Sequence, residues 1–122
     1  MALFNLKGEA LTNMPHKEQY DNWMQNLGRD DYRGVLDAIH DVLDDARDKS
    51  EPVYSARIPG REWEGTPYKP IYIACNKDWN ASRLFYGQLC WEAVQSHEAD
   101  WTVIAEERGD DQQGGKIYFV RR

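Results

Sequence analysis

Residues 79–97 read WNASRLFYGQLCWEAVQSH, and the reading of this stretch decides the architecture. Wound as a helix, its apolar residues Ala81, Leu84, Phe85, Tyr86, Leu89, Cys90, Trp91, Ala93 and Val94 cover nearly the whole circumference, which marks an interior helix rather than a one-sided surface helix. Only Asn80, Ser82, Arg83 and Gln88 offer polar side chains toward its start. Gly87 in the middle disfavours the helix by about 1 kcal/mol relative to alanine, so a close crossing of another element is expected there as compensation.

Just upstream, Asn76, Lys77 and Asp78 form a short turn, and residues 67–75 read as a short helix started by Thr66-Pro67, with Ile71 and Cys75 facing inward. The loop before it, Arg61 to Tyr68, spends Trp63 and Tyr68 where loops rarely spend aromatics. Either Trp63 plugs the core, or it joins Tyr68 and Tyr72 in a partner-binding surface. PVYSARI (52–58) places β-branched and aromatic residues at alternate positions and begins with a proline, which suits an edge or an entry to a strand, and Pro59-Gly60 ends it. Downstream, WTVIAEE and KIYFVRR are strand-like runs joined by RGDDQQGG, a hairpin with an acidic tip that includes Glu106, Glu107, Asp110 and Asp111.

Between Asp31 and Lys49, the residues Val35, Leu36, Ile39, Val42, Leu43 and Ala46 fall on one helical stripe. Asp37, Asp41, Asp44 and Asp48 gather on the opposite side as an acidic ridge. Asp30 or Asp31 is expected to cap the start, and Arg47 and Lys49 to complement the dipole at the end. A shorter amphipathic helix is expected from Pro15, with Tyr20, Trp23, Met24 and Leu27 on one side and Gly28 as its stop. Residues 1–13 read as an N-terminal arm or short strand whose order depends on docking, and 14–122 as a single α+β domain. With 122 residues, the chain has length for one modest core.

From residue 31 the order is helix, strand, short helix, turn, long helix and two-stranded hairpin. This order resembles the winged helix-turn-helix fold over about three quarters of the chain. The resemblance implies three to four helices with a small antiparallel sheet, the hairpin forming the wing, and DNA binding by insertion of the third helix into a major groove. Asn80, Ser82, Arg83, Arg108, Lys116 and Arg121 would then contact nucleic acid, with Arg57, Arg61, Lys69 and Arg122 able to extend the basic surface.

The charge opposes that use. Residues 14–51 carry 10 acidic and 5 basic side chains, and the whole chain has a formal charge of -6. Phosphate neutralisation supplies much of the affinity of DNA-binding proteins, so an acidic chain is poorly suited to it.

No motif of a nucleotide-binding loop, nucleophile elbow or zinc ligand set is present, and neither metal nor cofactor is expected. His16, His40 and His97 are scattered; His97, with Glu98 and Asp100 nearby, reads as a helix-end residue, and His40 as a boundary residue. Cys75 and Cys90 sit among apolar neighbours as free structural thiols, which agrees with a cytoplasmic location. The apolar runs are too short to cross a bilayer.

The sequence thus leads us to expect a non-catalytic protein-interaction or regulatory module. Its contacts would be Asp37, Asp41, Asp44 and Asp48 and the loop aromatics Trp63, Tyr68 and Tyr72. The five tryptophans also admit a homodimer. Two rivals are a DNA-binding regulator and an acidic DNA mimic that inhibits a nucleic-acid enzyme.

Overall fold

The computed structural model describes residues 2–55, 63, 65–105 and 115–121. The elements run β1 (Leu3–Phe4), α1 (Lys17–Met24), α2 (Arg29–Lys49), β2 (Val53–Tyr54), α3 (Lys69–Ala74), α4 (Trp79–Ser96), β3 (Trp101–Ala105) and β4 (Lys116–Val120). The fold is α+β, with the strands in one sheet of order β1-β3-β4-β2. β1 runs parallel to β3, and the other two pairings are antiparallel. The hairpin tip from residue 106 to 114 and the end of the expected strand, residues 56–58, lie outside the described residues.

Each long helix follows from its sequence period. In α2 the buried residues are Val35, Ile39, Leu43 and Ala46, spaced by three or four, so one stripe of the helix is in the core. Leu36 is half-buried, and Val42, assigned to the same stripe from the sequence, is 44% exposed because it lies at the stripe's edge. Gly28 precedes α2 in extended conformation, so Asp30 and Asp31 sit inside its first turn. They favour the helix through its dipole rather than as caps. Ser50 ends α2 in the left-handed conformation, its amide returning to the carbonyls of Ala46 and Arg47.

α3 begins at Lys69, later than Thr66-Pro67 led us to expect. Thr66 instead closes a turn: its hydroxyl donates to the Trp63 carbonyl at 2.7 Å and accepts from the Tyr68 amide at 3.2 Å. With the later start, Pro70 falls in the first helical turn, where a missing amide hydrogen leaves no intrahelical bond unmade. α4 is capped by Asp78, whose carboxylate accepts from the Ala81 amide at 3.1 Å.

The core lies between the helices and one face of the sheet. Leu3, Trp101, Val103 and Tyr118 point inward from the strands, and Trp63, Phe85, Leu89, Val94, Ile39, Leu43 and Ile71 meet them from the helical layer. The other face carries two cross-strand rows: Phe4, Thr102 and Phe119, then Ile104, Ile117 and Tyr54. The chain folds back after β1, with Ala10 bridged to Phe4 and the Leu11 amide on the Leu3 carbonyl at 2.7 Å.

α4 is the central helix. Nine of its 18 residues are buried, among them Ser82 and Gln88. Its last turns are crossed by the segment leading into α1. Gln88 Nε2 donates to the carbonyls of Pro15 and His16 at 3.0 and 2.8 Å, and Gln95 Nε2 donates to that of Leu11 at 3.1 Å. Tyr20 adds a hydrogen bond to Glu92, and the rings of Tyr20 and Trp23 stand 5.7 and 5.6 Å from that of Phe85. Among the described residues, the compensating contact expected at Gly87 is missing. A Cβ built there, at a half-buried position of α4, meets nothing within 4 Å.

Candidate functional site

The acidic ridge of α2 divides in two. Asp37, Asp41 and Asp48 are exposed, as the helical spacing requires. Asp44 differs: its Oδ1 accepts from Nε2 of His97 at 2.7 Å, and it belongs to the seam between α2 and the end of α4. Toward the end of α2 the charges neutralise one another. Arg47 lies 3.8 Å from Asp44 and 3.3 Å from Asp48 and also pairs with Glu98, while Lys49 meets Asp45 at 3.1 Å. Asp37 and Asp41 take part in no ion pair among the described residues. The middle of the helix is thus its most anionic surface.

His97 is 3% exposed, and its surroundings fix its tautomer. Nδ1 faces two donors, the Ala99 amide and the Trp101 indole N–H, each at 3.1 Å, so it must offer a lone pair. The ring proton therefore resides on Nε2 and is donated to Asp44. This geometry joins α2, α4 and β3 through one imidazole. His40 is a boundary residue, half-buried, with Nε2 2.9 Å from the Ala93 carbonyl and 3.0 Å from the Ser96 hydroxyl. A carbonyl cannot donate, so Nε2 carries the proton and offers no lone pair to deprotonate Ser96.

The loop aromatics are largely structural. Trp63 is fully buried and Tyr68 is 6% exposed, so neither can be the surface contact considered from the sequence. The Trp63 ring fills a space between those of Tyr68, Trp79 and Tyr86, with centroids 6.2, 5.7 and 5.7 Å away. This packing holds Trp63 at φ 55°, a left-handed conformation uncommon for a bulky residue. Of the three, Tyr72 alone reaches the surface, half-buried under the Lys69 ammonium 5.2 Å from its ring centroid.

Among the described residues, those considered for DNA contact do not form one exposed row. Asn80 is exposed and Arg83 half-buried, but Ser82 is fully buried and donates its hydroxyl to the Asp78 carbonyl at 2.7 Å. Lys116 begins β4 and Arg121 directly follows its end, an odd number of residues away, and so on the opposite face of the sheet. Arg57, Arg61, Arg108 and Arg122 lie outside the described residues. Along α4 the exposed residues are Asn80, Leu84 and Ser96, with Arg83 and Gly87 half-buried beside the first two, and Trp91 is only 6% exposed.

Both thiols are free and buried. Burial pushes Cys75 up to about 11 and Cys90 up to about 12, so both remain protonated near neutrality and are poor nucleophiles. Among the described residues no three His, Cys, Asp or Glu side chains converge as metal ligands, and no helix is long and apolar enough to cross a membrane.

Sequence reasoning missed Gln88, Glu92 and Gln95 as the residues that fasten the N-terminal segment. Their spacing by three and four was a signal of a shared helix face, but their partners, backbone carbonyls for Gln88 and Gln95 and the Tyr20 hydroxyl for Glu92, lie more than seventy positions away. It also missed the outer sheet face, whose signal is the alternation of Ile117, Phe119 and Arg121 around buried Tyr118. Comparison of the chain with protein-family models, curated protein sequences and solved structures gave no match.

Proposed function

We propose that the chain is a non-catalytic protein-interaction module with a winged-helix-like core, which engages a basic partner through Asp37, Asp41 and Asp48 on α2. The observation that carries this reading is the burial of α4, with nine of 18 residues in the core. In the winged-helix resemblance this helix would read a DNA groove, and reading requires a row of accessible side chains along its length. Here only a short outward stripe remains. The order of β2, β4 and β3 in the sheet supports the winged-helix-like description, since the hairpin pairs with the strand that precedes the helical pair.

The non-catalytic part of the reading is supported by the two protonated thiols, by the proton on His40 Nε2 and by the locked His97. The anionic stretch at Asp37 and Asp41, which no ion pair among the described residues offsets, attracts cationic surfaces and speeds their docking, while Asp48 shares its charge with Arg47. Free thiols agree with a cytoplasmic setting.

The test has two arms. Fluorescence anisotropy against a panel of DNA duplexes at about 150 mM salt should show no binding beyond the non-specific level. Duplex binding that Arg83→Ala weakens would defeat the proposal. In the second arm, Asp37→Asn, Asp41→Asn and Asp48→Asn together should abolish capture of basic partners while leaving the circular dichroism unchanged. Asp44 is kept intact because of its bond to His97.

A further inference from the structure

The outer face of the sheet is a second surface, independent of the α2 reading. Its first row sets Phe4, Thr102 and Phe119 side by side on β1, β3 and β4. Phe119 is 39% exposed although it occupies an inner strand of the sheet. The Arg121 guanidinium lies on this row, 4.4 Å from the centroid of the Phe4 ring, with Nη1 3.4 Å from the Thr102 hydroxyl. The nearest carboxylate in sequence alternation is Asp100, whose Oδ1 accepts from the Ala2 amide at 3.0 Å. A ring, a guanidinium and a hydroxyl therefore share one side of the sheet, with Phe119 and Arg121 exposed and Phe4 and Thr102 half-buried.

We propose that this face binds single-stranded nucleic acid, with an unpaired base stacked on Phe119 and Arg121 contacting the phosphate backbone. Aromatic rings flush with a sheet accept bases presented flat, as unpaired bases are, whereas a duplex shows only base edges in its grooves. Arginine on an aromatic ring retains donors for a phosphate while its charge is held in place. The acidic surface of α2 belongs to the helical layer on the other side of the sheet, so it does not line this face.

The area decides against a second copy of the chain as occupant. Among the described residues, four strands spaced about 4.8 Å apart, with inner strands about 17 Å long, present on the order of 250 Å². A stable protein interface needs about 800 Å² from each partner. A slender strand that engages a few side chains fits the smaller patch.

The experiment is anisotropy of a fluorescein-labelled oligothymidylate of about 12 nucleotides, a length within the usual site size, at about 50 mM salt. Phe119→Leu, which keeps apolar bulk, should weaken binding by about fivefold or more, and Phe119→Tyr should restore it. Arg121→Ala should reduce the slope of log K against log salt by about 0.7. Tryptophan emission of each variant verifies the fold. Absence of binding by the wild-type chain overturns the proposal, as does equal binding by Phe119→Leu. Sedimentation revealing self-association that Phe119→Leu abolishes would assign the face to a second copy instead, and also overturns it.

Discussion

Replacing Gly87 by alanine should stabilise the protein. The position lies in the interior of α4, where glycine leaves the unfolded chain more freedom to lose and contributes no side chain. A Cβ added there has no neighbour within 4 Å, so the substitution introduces no clash and adds no packing contact. The expected gain is then the helix-propensity difference alone, about 0.8–1.0 kcal/mol. For a chain of roughly 120 residues the entropy of unfolding is about 0.26 kcal/mol per kelvin, so the midpoint of thermal unfolding should rise by about 4 °C. Urea titration followed by tryptophan emission should show a higher midpoint at unchanged slope. A lowered midpoint would mean instead that another surface presses on α4 at this turn. Gly34 on α2 has equally open surroundings, so the double variant should give the sum of the two effects.

Further outcomes follow from the buried polar groups. His97→Ala leaves Asp44, the Ala99 amide and the Trp101 indole without their shared partner and should destabilise the fold by about 2–3 kcal/mol in urea titration. In the intact protein, nitrogen-15 spectra should place the His97 proton on Nε2; an Nδ1 proton would contradict the described bonds. Gln88→Ala removes both bonds to the N-terminal segment, and amide exchange in α1 should accelerate more than in α2. Cys75 and Cys90 should resist a disulfide reagent at pH 8 until the protein is unfolded. Because burial raises these thiols above their ordinary value of 9.0, the unfolded state releases their protons first. Their contribution to stability is complete below pH 9 and disappears as the pH rises toward about 12; Tyr32, also pushed up to about 12, acts in the same direction. Unchanged urea midpoints between pH 8 and pH 11 would contradict this.

The parts legible in the sequence are those fixed by local period. The α2 stripe of Val35, Ile39 and Leu43 could be read because a buried helix face repeats every three or four residues. The burial of α4 was legible for the same reason, since apolar residues occupy nearly its whole circumference. Contacts between distant segments were not legible. Asp44 shares the spacing of Asp37 and Asp41, yet only the approach of His97, fifty-three positions away, draws it into a seam. Ser82 looks like a polar surface residue until its hydroxyl is seen to return to the Asp78 carbonyl. Trp63 could be read two ways because a lone tryptophan in a loop has no period, and the rings of Trp79 and Tyr86 that enclose it are brought there by the tertiary fold. The strand at Leu3–Phe4 is too short for alternation to identify, and its place in the sheet comes from pairing with Trp101 and Thr102.

The strand order has a consequence for how the molecule is made. Both inner strands come from residues 101–120, whereas their outer neighbours, β1 and β2, are complete by residue 54. On the ribosome the early strands wait without a partner while the helical layer emerges, its underside still uncovered. The sheet closes only when Lys116–Val120 has been translated and slides in between β2 and β3, so a stall before that point leaves a nascent chain with a sticky, unroofed core for chaperones to hold.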